Sequence, residues 1–233
     1  MTSAPARRRL SCCDLERSEA MQKYLRAIYL LRFKAPPVST SQVAARLGVA
    51  PPSVSAMLRR LEAAGLLADS GSAGIALSEH GERHAMNVIR RHRLIEAFLV
   101  QAAGMRWDEV HAEAEALQHV ASELLIDRID SVLGHPRRDP HGDPIPPPSG
   151  DHVEDWSPAL ADAPEGARFQ VDRVSDDESA ALRYLAGLGI GPGVMLRVAE
   201  REPFGGPLWV EIGGRRRALG TQLTCLVHGV VLP

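Results

Sequence analysis

Residues 90–131 read RRHRLIEAFLVQAAGMRWDEVHAEAEALQHVASELLIDRIDS, with a break at Ala103-Gly104 that divides them into two helices. His92 and Glu96 stand four apart in the first helix; His111, Glu115 and His119 stand four and four apart in the second. At 3.6 residues per turn these positions form one slowly drifting stripe. Side chains four apart have Cβ atoms about 5–6 Å apart and can converge on one ion. The set contains imidazoles and carboxylates and no cysteine, a chemistry that suits divalent manganese, iron or zinc. A solvated helix face is the plainer reading of such residues. Here they border an apolar stripe of Val110, Ala114, Leu117, Ala121 and Leu124 that the helix would bury. Unpaired charge beside a packed face is costly.

Upstream, residues 14–83 read as a first module. Residues 16–33 have helical period through Ala20, Tyr24, Ala27, Ile28 and Leu31, and Pro36-Pro37 ends that helix. Ser39 and Gln42 fit a capping box that opens a short helix stopped by Gly48. A second short helix opens at Pro51-Pro52 and closes at Gly65. Leu66–Ala68 and Ile75–Leu77 then read as a small hairpin with a glycine-rich tip. Three helices and a hairpin make a winged helix-turn-helix. Such a module offers the N-terminal end of its second short helix to the major groove. Pro52, Ser53, Ser55 and Ala56 would then face base edges and Arg59 and Arg60 would reach phosphates, with Ser39 and Thr40 at the start of the preceding helix as further contacts. Small side chains read bases weakly, so phosphate contacts and DNA shape carry much of the recognition.

The central module, residues 84–149, holds the histidine-bearing helices. Its apolar stripe runs on to Leu125 and Ile129 before Gly134 ends it. That surface exceeds what a winged helix needs, and a symmetric dimer would bury it. A dimer also suits a palindromic DNA site. The segment GHPRRDPHGDPIPPPSGD then reads as an extended tether, with His135 and His141 solvated. In residues 166–233, Phe169–Val174, Val194–Ala199, Leu208–Ile212 and Leu226–Leu232 alternate like strands around a helix from Asp176 to Ala186. They suggest a small SH3-like β-barrel, with Arg215-Arg216-Arg217 as a solvated edge. The fold class is mainly α with small β elements.

The net charge of −2 hides an asymmetry: residues 1–84 carry twelve Lys and Arg against seven Asp and Glu, and residues 151–233 carry eight against twelve. A basic first third is compatible with double-stranded DNA as partner. No run of eighteen apolar residues suggests a membrane span. The opening MTSAPARRRLSCCDLERSEA lacks the apolar core of a signal peptide. Three cysteines, Cys12, Cys13 and Cys225, form no disulfide framework. A reducing cytoplasm is the simplest setting. Enzymes are disfavoured, because neither HExxH nor a nucleophile elbow occurs. A metallohydrolase docked through its winged helix is the rival of a different class; a metal-independent regulator is another.

R-H-R-L-x-E at 91–96, V-H-x-E-A-E at 110–115, His119 and DPHGDPIP at 139–146, between a winged helix and a small barrel, together resemble the diphtheria toxin repressor family of metal-dependent regulators. The manganese-responsive members are the nearest likeness. The resemblance implies a homodimeric repressor whose DNA affinity rises with Mn2+ or Fe2+, other divalent ions substituting, and a barrel similar to SH3 domains and to the ferrous-iron-transport accessory domain. It implies one metal site from His92, Glu96, His111 and the barrel carboxylate Glu178. The second barrel position falls on Ala181, which leaves Asp176 or Asp177 as substitutes. It implies a second site from Glu115, Gln118, His119 and a first-helix residue. Glu115 stands where iron-type members have cysteine, which argues for manganese. The first-helix position holds Lys23, with Arg26 a turn later, and Gln118 replaces the usual glutamate. That second site is weakened, rebuilt with Glu19 or Glu16, or lost.

Overall fold

The computed structural model describes residues 18–69, 74–148, 157–176 and 178–233. The chain divides into two compact units, Met1–Arg91 with Pro146–His152, and His92–Ile145 with Val153–Pro233.

In the first unit, α1 (Glu19–Lys34), α2 (Thr40–Leu47) and α3 (Pro51–Ala63) pack together, and α4 (Glu79–Gln101) begins. Their apolar faces meet at Met21, Ile28, Tyr29, Val43, Val54, Leu61, Leu66 and Ile89, all essentially water-free. Each such side chain contributes about 1.5–3 kcal/mol of transfer free energy. Ser39 caps α2 in a full capping box with Gln42, and Gly48 closes it in the left-handed region. α3 starts on Pro51-Pro52, whose missing N–H groups would have been unsatisfied anyway. The expected hairpin is present as a bridge between Leu67 and Leu77; its tip, 70–73, lies outside the described residues. Gly81 has a required role: a Cβ there would lie 2.1 Å from the Leu66 carbonyl oxygen.

In the second unit α4 ends, followed by α5 (Val110–Leu117) and α6 (Glu123–Val132). The sequence suggests one continuous helix from Asp108 to Gly134. The structure breaks it after Leu117 and restarts it at Ser122, whose side chain accepts the Leu125 N–H. Leu94, Ile95, Val110, Ala114, Ile126 and Ile129 form this part's core. Val120, Leu124, Leu125 and Val132 remain exposed, at 49–78% of their surface.

The barrel is a five-stranded antiparallel sheet in the order β4-β3-β2-β1-β5, with β1 Arg168–Val174, β2 Met195–Arg201, β3 Leu208–Ile212, β4 Arg215–Leu219 and β5 Val227–Leu232. α7 (Ser179–Gly187) follows β1, and the short α8 (Thr221–Thr224) precedes β5. Phe169, Val171, Leu185, Val198, Val210 and Val227 fill its core. The arginine run expected to be a solvated edge is β4, the sheet's outer strand, where Arg216 lies over the Trp209 ring and pairs with Glu200. Charged edge strands resist pairing with other chains.

The segment 139–146 corrects the sequence reading. It is no solvated tether: Asp139, His141, Asp143 and Ile145 are all buried. Asp139 Oδ1 accepts the N–H groups of His141 and Asp143, both at 2.9 Å, which folds the loop on itself. The His141 carbonyl accepts the Val174 N–H at 2.9 Å. Gly142, at φ +90°, sits so close to β1 that a Cβ would lie 2.0 Å from the Asp172 oxygen. Tertiary contact therefore orders a stretch with no periodicity of its own.

Candidate metal centre

Four segments of the second unit meet at Glu96, which is completely buried. α4 supplies His92 and Glu96 and α5 supplies His111. Asp176 comes from the turn between β1 and α7. The loop between α6 and β1 supplies Asp139 and His141.

Around Glu96 Oε1 the contacts are short. His92 Nε2 lies 2.9 Å away and His111 Nδ1 3.2 Å. His111 Nδ1 is also 3.0 Å from Asp176 Oδ2 and 3.3 Å from His92 Nε2. Two ligand atoms at right angles on an ion about 2.1 Å from each stand about 3.0 Å apart. The four side chains therefore already have the spacing of a coordination shell.

Hydrogen bonds behind the shell fix the ring orientations. His92 Nδ1–H donates to Gln118 Oε1 at 3.1 Å, which leaves Nε2 aimed at Glu96. Gln118 Nε2 in turn donates to Glu115 Oε2 at 2.8 Å. On the far side His141 Nε2–H donates to the Trp107 carbonyl at 2.7 Å, and its ring stacks on Trp107. Its Nδ1 lone pair then faces Glu96 Oε2 at 4.0 Å. Neither atom has a hydrogen-bond partner among the described residues. Two buried acceptors facing each other are expensive to leave unsatisfied, and a cation satisfies both. Glu96, Asp139 and His141 form the second ligand group.

Electrostatics agree. Burial alone would raise the Glu96 carboxyl, but the His92 charge and hydrogen bonds with His111 and His92 outweigh it and hold it well below the usual carboxylate range. Burial, then the Asp143 and Glu96 charges, push Asp139 well above its ordinary value against the pull of Arg93. Arg93 sits 3.6 Å from Asp143, which pairs with Arg173 at 2.7 Å. The centre thus carries more buried carboxylate than its neighbouring cations settle. An all nitrogen–oxygen donor set of this kind fits manganese or iron, with no thiolate to favour softer ions.

Several sequence expectations move. The carboxylate beside His111 is Asp176, two residues before Glu178; Glu178 is exposed at the N-cap of α7 and makes no side-chain cap. Asp177 lies outside the described residues. Asp139 and His141 join the cluster from an irregular loop, where no helical spacing marks a candidate ligand. Gln118 is buried and stands behind His92. Glu115, Gln118 and His119 of the expected second site do come together: Gln118 Nε2 lies 2.8 Å from Glu115 Oε2 and 3.3 Å from His119 Nε2, and His119 Nε2 lies 3.9 Å from Glu115 Oε1. In the first unit Lys23 pairs with Glu19 of its own helix at 2.7 Å. Glu16, Cys12 and Cys13 lie outside the described residues. On the presumed DNA-reading face, Ser39, Pro52, Ser53, Ala56, Arg59 and Arg60 are exposed. Thr40 and Ser55 are half-buried, and Ser55 Oγ donates to the Pro51 carbonyl.

Comparison with known proteins matches each of these segments to a domain. Residues 16–75 match the iron dependent repressor N-terminal DNA binding domain. Residues 78–147 match the iron dependent repressor metal binding and dimerisation domain, and residues 159–229 match the FeoA domain. The chain is 40% identical over 128 residues to the iron-dependent repressor IdeR of Mycobacterium bovis, covering 55% of this chain and 56% of that one. It therefore spans about half the length of that relative. It is 30% identical over 185 residues to the diphtheria toxin repressor of Corynebacterium efficiens, covering 74% and 80% of the two chains. A solved manganese-dependent transcriptional repressor in complex with manganese superposes with a TM-score of 0.84 at 39% identity, over 91% of this chain and 99% of that one. By its domain order, its sequence and its fold, the chain belongs to the iron-dependent repressor family, in which the diphtheria toxin repressor also stands.

Proposed function

We infer that this protein is a homodimeric transcriptional repressor that grips a palindromic DNA operator when a divalent cation, manganese before iron, fills the Glu96 centre. One observation carries the reading: Glu96 Oε2 and His141 Nδ1, both buried and without hydrogen-bond partners among the described residues, face each other at 4.0 Å. Glu96 turns its other oxygen to His92 and His111, so one carboxylate joins two ligand groups.

When bound, the cation supplies positive charge that offsets the surplus of buried carboxylate. His92 and Glu96 hold α4, His111 holds α5, Asp176 holds the turn after β1, and Asp139 with His141 holds the loop after α6. α4 is also continuous with the DNA-reading unit, since it starts at Glu79 just after the hairpin bridge. Metal held at its second half would raise DNA affinity through this shared helix. Couplings of this sort amount to about 1–3 kcal/mol, or 5–150-fold in affinity. The exposed Val120, Leu124, Leu125 and Val132 supply the apolar face for the second copy.

Fluorescence anisotropy on an operator duplex tests the proposal. Chelator-stripped protein should bind at least fivefold more weakly than protein refilled with manganese, and Glu96→Gln should remove the difference. Equal affinity in both states would reject it.

A further inference from the structure

The first two turns of α4 carry a feature that the Glu96 centre does not use. His80 and His84, four residues apart, share an Nε2···Nε2 hydrogen bond of 2.9 Å, with ring centroids 4.7 Å apart. Two nitrogens on a tetrahedral zinc, about 2.1 Å from each, stand about 3.4 Å apart, so the rings need part by only about 0.5 Å. The pair therefore has the bite of a chelate. Both rings are half-buried, so an ion can reach them from solvent.

Their backbone is held in advance. Ser78 Oγ accepts the Gly81 N–H at 3.0 Å and donates to the Gly65 carbonyl at 2.7 Å. Gly81 presses against the Leu66 carbonyl with no room for a Cβ. A preformed turn lowers the ordering cost of binding.

We propose that His80 and His84 form a separate cation site in the DNA-reading unit, for a late first-row dication such as zinc or copper. A pair of imidazoles favours such ions, and manganese, lowest in the affinity order, gains least from it. The positive end of the helix dipole opposes a cation there, and Glu79 and Glu82 in the same turn are paired with Arg83 and Arg32, so the two imidazoles themselves must supply the binding. Chelation joins consecutive turns at the junction of hairpin and helix. It gives the DNA-reading unit a response to zinc that does not pass through Glu96.

Calorimetric zinc titration of the chelator-stripped full-length chain tests this, with manganese binding followed in parallel by electron paramagnetic resonance. His80→Asn and His84→Asn should each lose one zinc equivalent per chain, or weaken it at least tenfold, and keep wild-type manganese binding. Zinc isotherms that superimpose for wild type and both variants would overturn the site. So would loss of manganese binding together with zinc, because the pair would then be structural. The double variant His80→Gln/His84→Gln gives the same reading if either single variant lowers the metal-free unfolding temperature.

Discussion

Gln118 Oε1 lies 3.1 Å from Nδ1 of His92 and sets which ring nitrogen that histidine offers to Glu96. Toward the Glu96 centre Gln118 stands behind a ligand, while its amide nitrogen meets Glu115 and His119. Gln118→Ala should lower manganese affinity by about 10–100-fold, as loss of an orienting partner does, with stoichiometry unchanged. Loss of a whole manganese equivalent in calorimetry would instead make Gln118 a ligand.

Gly142 has a left-handed φ and no space for a side chain against Asp172. Gly142→Ala must push the 139–143 loop off β1, taking Asp139 and His141 with it. A loss of at least about 2 kcal/mol of stability is expected, in the range of steric and backbone strain. Chemical denaturation measures it, and a wild-type midpoint would show that the loop is not clipped to the strand as described.

Val120 is 78% exposed beside Leu124 and Leu125, a surface a monomer has no use for. Val120→Asp should shift the sedimenting species from dimer to monomer and weaken operator binding with it. A variant that sediments as wild type would move the dimer contact elsewhere.

Arg60 is exposed near the end of α3. If it meets a phosphate, Arg60→Ala weakens binding to all duplexes alike and lowers the slope of log affinity against log salt by about one. A sequence-selective loss with an unchanged slope would place Arg60 at a base edge.

How much of this was legible beforehand depended on periodicity. His92, Glu96 and His111 lie on regular helices, so their spacing announced a shared face. The winged helix was legible because Ser39, Gly48, Pro51 and Gly65 punctuate it by local chemistry. The carboxylate beside His111 falls on Asp176, one of the substitutes the sequence offered, because no local pattern fixes where a strand-to-helix turn falls. His141 reads as solvated because Pro and Gly mark irregular backbone, which says nothing of burial; Gly142 against β1 and His141 against Trp107 decide that. The break after Leu117 was hidden because the apolar stripe continues across it, and only Ser122 hints at a new start. β4 was hidden by its three arginines, which fit an edge strand as well as a loop.

Anomalous scattering from crystals grown with manganese tests the central claim most directly. The account predicts a manganese peak within about 2.2 Å of a Glu96 carboxylate oxygen, coordinated by His92, His111 and Asp176 or by Asp139 and His141. Manganese bound elsewhere, with Glu96 Oε2 and His141 Nδ1 still facing each other across an ion-free gap, would contradict it.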